Sequence, residues 1–290
     1  MQQRMKWCLL IIFLNLLLSA CNPSRFIVNS MNPLMKQMQS GVFKNDDPEL
    51  IKEALPAALV MIDGLLEVSP DNKELLLTAA ESYSGYAFAY IEDTNPERAS
   101  HMYLKARNYA LRVLKKHQQF QEALQQPFEK FQETLSKFKK ADAPALFWSA
   151  NCWFKWISLN LNQLEVFLDI PKAEAMLNRV LELDETYYFG SAHISMGGFY
   201  ASVSEALGGN PQKAYKHFQR AFEIAESKFL LAHLFYAQFY AVQIQDRALF
   251  LNTLQNIIDT PNNVLPKANF INQLVKEKAK KLIQQVDVLF

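Results

Sequence analysis

Asn210-Pro211-Gln212-Lys213-Ala214-Tyr215-Lys216-His217-Phe218-Gln219-Arg220-Ala221 has a near-copy earlier in the chain, Asn95-Pro96-Glu97-Arg98-Ala99-Ser100-His101-Met102-Tyr103-Leu104-Lys105-Ala106. Both read Asn-Pro-x2-Ala-x3-aromatic-x2-Ala. Asn is a preferred helix N-cap, and Pro suits the first helical position, where its missing N–H would be unpaired anyway. Residues at i, i+4 and i+7 lie on one helix face. There the Ala lets a neighbouring helix come close, and the ring fills the gap between the two. A looser copy, Ala173-x3-Leu177-x2-Val180, follows Pro171; another, Ala58-x3-Ile62-x2-Leu65, precedes Pro70.

This is the second-helix half of a tetratricopeptide repeat, in which a Pro falls twelve residues after the first Ala. Pro70 stands there after Ala58, whereas Glu185 takes that place after Ala173. Tyr83 and Tyr200 are the candidate aromatics of the first helices, but each lies too far ahead of the next Ala for a regular repeat. The expected fold is therefore all-α: a TPR-like helical repeat, or α-solenoid, with irregular long helices. Strand-like alternation is missing. The periodicity predicts helices over about 49–68, 72–90, 96–117, 121–138, 143–160, 171–183, 187–207, 211–225, 228–241, 246–259 and 266–288. Gly208-Gly209-Asn210-Pro211 reads as helix stop, turn and restart. Stacked helix pairs curve and present a concave face suited to binding.

The N-terminus has a different character. Arg4 and Lys6 precede a mostly apolar run from Trp7 to Ala20, too short for the about 20 residues that span a bilayer. A basic start and a short apolar core are the pattern of a secretory signal. It ends in Leu18-Ser19-Ala20-Cys21, a lipobox. Small residues fit the signal peptidase, and the Cys21 thiol accepts the lipid. Several acyl chains on one residue anchor a protein stably. Asn22, in place of Asp, favours the outer membrane. The expected organisation is a signal peptide over 1–20, a lipid-anchored tether over 21–45 and a TPR-like domain over 46–290.

The leader carries two basic residues and no acid, so the full chain's 30 Lys and Arg fall to 28 against 29 Asp and Glu, a net charge of −1. That leaves no basic excess to release counterions from nucleic acid. Cys8 leaves with the leader and Cys21 takes the lipid. Cys152 alone remains, so neither an internal disulfide nor a cysteine metal cluster is expected. Among Trp148, Trp153 and Phe154 it reads as a small buried hydrophobe.

No phosphate loop, dinucleotide-binding glycine pattern, His-Glu-x2-His or Gly-x-Ser-x-Gly occurs. His101, His117, His193, His217 and His233 show no metal-ligand spacing. No catalytic residue, metal or cofactor is expected, and the chain reads as a binding protein without enzymatic activity. The aromatic residues are more suggestive. On the segment from Pro144 to Asn160, Trp148, Cys152, Lys155 and Trp156 fall near one face, and Trp153, Ile157 and Asn160 on the next. Phe199 and Tyr200 follow two small residues, Gly197 and Gly198. Trp148, Trp153, Trp156, Phe199 and Tyr200 are either packing core or the lining of an apolar ligand path.

From Ile170 onward an ordered series of motifs resembles the T-component of TRAP transporters (TatT). It runs through Leu177-x-Arg179-Val180-Leu181-Glu182-Leu183-Asp184, Tyr187-Tyr188-x-Gly190, His193-x3-Gly197, Leu207-Gly208-Gly209-Asn210-Pro211 and Lys213-Ala214-x3-Phe218-x2-Ala221. It continues through Lys228-Phe229-Leu230, Tyr240-Ala241-Val242-Gln243 and Asp246-Arg247-x-Leu249-Phe250, and ends in Lys278-Ala279-Lys280-x-Leu282-x4-Val286-Asp287-x-Leu289-Phe290. Glu226-Ser227 departs from it, since a Gly is expected before Lys228. The resemblance implies a periplasmic, lipid-anchored TPR-like protein. It further implies homotrimers around a pore, docking of a periplasmic solute-binding protein that feeds a permease, and small hydrophobic organic acids as ligands. A TPR scaffold lipoprotein in outer-membrane assembly or secretion is the alternative reading.

Overall fold

A computed structural model describes residues 23–290; the leader and Cys21 lie outside the described residues. The fold is all-α, with no strand among the described residues. In chain order the helices are α1 (Pro23–Ser30), α2 (Asn32–Lys44), α3 (Pro48–Val68), α4 (Lys73–Tyr86), α5 (Pro96–Leu114), α6 (Gln118–Ala123), α7 (Phe128–Leu135) and α8 (Ala143–Ser158). Then come α9 (Ile170–Asp184), α10 (Tyr187–Ser202), α11 (Pro211–Ile224), α12 (Leu230–Phe235), α13 (Arg247–Asp259), α14 (Asn269–Ile283) and α15 (Val286–Leu289). None of the described helices is long and apolar enough to cross a membrane.

The starts of the helices follow from side-chain chemistry. Asp47, Asn72, Asn95, Asn210 and Asp246 each cap a helix by accepting from the backbone N–H three residues on, at 2.8–3.1 Å. The one helix expected over 121–138 breaks in two at Pro127, which lacks an N–H and disfavours helical backbone before it. The stretch expected as a tether carries α1 and α2.

Ala99, Tyr103 and Ala106, Ala173, Leu177 and Val180, and Ala214, Phe218 and Ala221 are all fully buried. Helix α5 packs between α4 and α8, α9 packs on α8, and α10 on α11. At the last contact a Cβ on Gly197 would come within 3.0 Å of the Phe218 ring, so the close approach needs glycine. The fourth copy differs: Ile62 is buried, but Ala58 and Leu65 are only half-buried.

Among the described residues, left-handed backbone occurs on non-glycine residues at four places: singly at Gln245 (φ 56°) and Asn263 (φ 62°), and as two consecutive pairs. Tyr188 (φ 48°) and Phe189 (φ 60°) precede Gly190 (φ 76°), so α10 opens with a left-handed turn before its regular part. Glu226 (φ 48°) and Ser227 (φ 55°) form the other, at the site where a Gly was expected before Lys228. Such backbone costs an L-residue roughly 1–2 kcal/mol. The turn is thus kept without its glycine.

Candidate functional site

Helix α8 runs through the middle of the molecule, packed against α5, α9, α4 and α10. One of its stripes, Trp148, Asn151 and Lys155, is spaced i, i+3 and i+7. It faces two adjacent cavities. The first has a volume of about 380 Å³ and lies between this stripe and α2, α3, α4, α10 and α14. Its walls are mainly apolar, with Met35, Val42, Leu55, Ile62, Phe147, Tyr188 and Phe270 among them. The exposed side chains of Met38 (63%) and Met61 (67%), from α2 and α3, also line it and form its rim. Ala58, Ile62 and Leu65, the repeat face of α3, line it as well.

The second cavity, about 640 Å³, lies between α8, the C-terminal part of α10 and the segment after α12. Phe154, Phe199, Val203, Phe239 and Val242 line it, with Glu92 at one side. Asn151, Lys155, Ser195 and Phe235 line both cavities, so these four residues form the boundary between them. Two π-helical turns lie beside that boundary, Ala87–Ile91 and Tyr236–Ala241. Irregular turns of this kind often sit at functional sites. The first carries Phe88 and the second follows Phe235, whose rings are 6.0 Å apart.

The polar groups in these walls are few. Lys155 Nζ donates to Glu92 Oε1 at 3.0 Å and Oε2 at 3.1 Å, and the Tyr103 hydroxyl also donates to Glu92. Glu81 accepts from Gln39 Nε2 at 2.6 Å, which ties α4 to α2 across the first cavity. Glu81 is half-buried as a residue, yet its carboxyl is shut off from solvent, and burial pushes its pKa up to about 7. The Tyr188 hydroxyl lies near enough to oppose that rise, though no well-formed hydrogen bond reaches Glu81 Oε1. Tyr188 is thus a cavity wall, a neighbour of the buried acid and part of the left-handed turn. Strained backbone of this kind concentrates at ligand clamps and switches.

Of the five aromatics singled out in the sequence, Trp148 lines the first cavity and Phe199 the second, while Trp153, Trp156 and Tyr200 line neither. Trp153 donates to Asp169 at 3.0 Å and lies under the Arg107 guanidinium, which also covers Trp156. Tyr200 donates to Glu174 at 2.5 Å. Glu81, Glu92 and Asn151 were not singled out, and Tyr188 stood only within the motif Tyr187-Tyr188-x-Gly190. A polar residue in an apolar helix was the available signal for Asn151. Cys152 is fully buried and its thiol is pushed up to about 12 by desolvation, so it is no nucleophile. His193 and His217, unpaired by sequence spacing, meet with their Nδ1 atoms 2.9 Å apart. No group of three potential metal ligands forms among the described residues.

Residues 44–290 match the family model described as TRAP transporter T-component. A curated relative from Treponema pallidum (strain Nichols), described as an uncharacterized protein, is 23% identical over 263 residues. The match covers 85% of this chain and 81% of that protein.

Proposed function

The chain belongs to the TRAP transporter T-component family, and on that premise we propose that it docks a periplasmic solute-binding protein and passes a small hydrophobic organic acid along the two adjoining cavities. The family is one of transport accessory components rather than of enzymes. In this reading Cys21 carries the lipid that holds the chain on the periplasmic face of a membrane, the outer membrane being favoured. Three copies of the TPR-like chain assemble around a pore.

The observation that carries the reading is the mainly apolar cavity on α8, open at the rim formed by Met38 and Met61. Ligand sites are typically concave, mainly apolar and furnished with a few placed polar groups. The first cavity has that character, and the second continues from it at shared residues. Organic extraction and mass spectrometry of the detergent-solubilised protein test the ligand, with a hydrophobic acid expected to co-purify. Sedimentation with the cognate solute-binding protein tests the docking. A chain that carries no small molecule and sediments alone would overturn the reading.

A further inference from the structure

We propose that Lys155 and Asn151 form the head-group subsite for a monocarboxylate whose hydrocarbon chain lies in the first cavity. The inference rests on the reading of that cavity as a ligand path and adds the chemical class of the ligand and the residues that select it.

Asn151 and Lys155 stand one turn apart on the same face of α8, where both line both cavities. Ser195, from α10, completes the polar boundary, its Oγ 2.8 Å from Asn151 Oδ1. Lys155 is the only cationic residue among the described residues lining either cavity. An anion entering so apolar a space needs a counter-charge there, because an unpaired charge is strongly disfavoured away from water. That one ammonium is already shared with Glu92, so a second negative charge on the ligand would find no cation, which disfavours a dicarboxylate or a phosphate dianion.

The ammonium is held ready rather than used up. It has three N–H donors. Two reach Glu92, and the group lies 5.2 Å from the Phe88 ring centre and 5.1 Å from that of Phe235. Its side chain is only 15% exposed. Glu92 lines the second cavity but not the first, so an acid arriving through the first cavity meets the ammonium before Glu92, and the carboxyl on its way, Glu81, is held toward the neutral form by burial. Glu92 also keeps the Tyr103 hydroxyl as a donor when Lys155 turns toward a ligand. The ligand and Glu92 therefore compete for one cation, and that competition makes binding reversible.

The test compares decanoate with 1-decanol, equal in chain length, by calorimetric titration of the full-length mature protein. Wild type should bind decanoate about tenfold or more tightly than decanol, the scale of one charge-assisted contact. Lys155→Met should lose that preference and keep its affinity for decanol. Because this change strands Glu92, the double variant Lys155→Met/Glu92→Gln, which strands no charge, is measured beside it with the same expectation. Glu92→Gln alone should tighten decanoate by about tenfold by removing the competitor. A purely structural ion pair would not produce that gain. Decanol binding without a carboxylate preference, a preference that survives in the double variant, or no gain in Glu92→Gln would each overturn the head-group assignment and leave the cavity as a ligand site. Binding of neither probe would overturn the cavity reading as well.

Discussion

Replacing Glu81 with Gln should make stability rise with pH by about 2 kcal/mol more than in wild type between about pH 5 and 6.5. Burial raises the Glu81 carboxyl from 4.5 to about 7. Across that window the folded chain keeps a proton that the unfolded chain has released, so stability falls as pH rises. About 1.5 pH units at 1.36 kcal/mol each amounts to about 2 kcal/mol lost. His217 acts in the opposite direction. Burial, then His193 and Lys213, lower its pKa from 6.5 to about 4. The unfolded chain then carries a proton the folded chain lacks, and stability rises with pH until about 6.5. The ring is only partly buried, so its share is discounted to on the order of 1 kcal/mol over the same window. His193 and His233, both lowered by burial, add in the same direction. The histidine contributions are common to both proteins, so Glu81→Gln should rise by about 2 kcal/mol more than wild type across the window. Asp63, held low by Lys105, Tyr109 and Tyr83, titrates below the window. The assay is urea unfolding at fixed ionic strength, read as midpoint shifts at constant slope. Parallel profiles for wild type and Glu81→Gln would refute the assignment of a buried, proton-holding acid to the cavity wall.

Cys21→Ala should release the protein from membranes or leave its leader uncleaved, and mass spectrometry of wild type should show an acylated Cys21; an unmodified N-terminus would end the lipoprotein reading. Trp153→Ala should cost about 3–5 kcal/mol, as core truncations do, and spare ligand binding. Trp148→Ala should cost less, because its ring already borders a void, and should weaken ligand binding; equal destabilisation with intact binding would contradict the assignment of Trp148 to a ligand wall. Ser227→Gly should stabilise the chain by roughly 0.5–1 kcal/mol by relieving left-handed backbone, less the entropy glycine loses on folding, as read from the melting midpoint.

Much of the helix pattern was legible because one signal repeats. Asn or Asp before a helix caps it, and a small residue four before a large one marks a buried face, as at Ala99 and Tyr103 or Ala214 and Phe218. The break at Pro127 and the left-handed turns at Tyr188 and Glu226 were harder. Hydrophobic periodicity runs on through a local change of backbone. The stripe Met31, Met35, Met38 and Val42 has helical spacing and is the signal for α2. It was overshadowed by the Pro and Asn residues around it.

The candidate site was legible only in part, for a different reason. Aromatic density on α8 marks the helix but does not say which of its faces borders a void. Trp148, Asn151 and Lys155 face cavities, while Trp153 sits under Arg107 against Asp169. That choice is made by the neighbouring elements, and α3 is the decisive one. In three copies of the Ala-x3-large pattern the face is fully buried against neighbouring helices. In the fourth, Ala58, Ile62 and Leu65 turn the same face toward the first cavity. A surface patterned for helix–helix contact is thereby left facing a void, with α2 along the other side of the opening. Burying apolar surface is worth about 25 cal/mol per Å² whichever molecule supplies the covering atoms. A hydrocarbon chain laid along α3 would take the place of the missing helix, and the two charges within reach of its far end, Lys155 and Glu92, would decide which head group it carries.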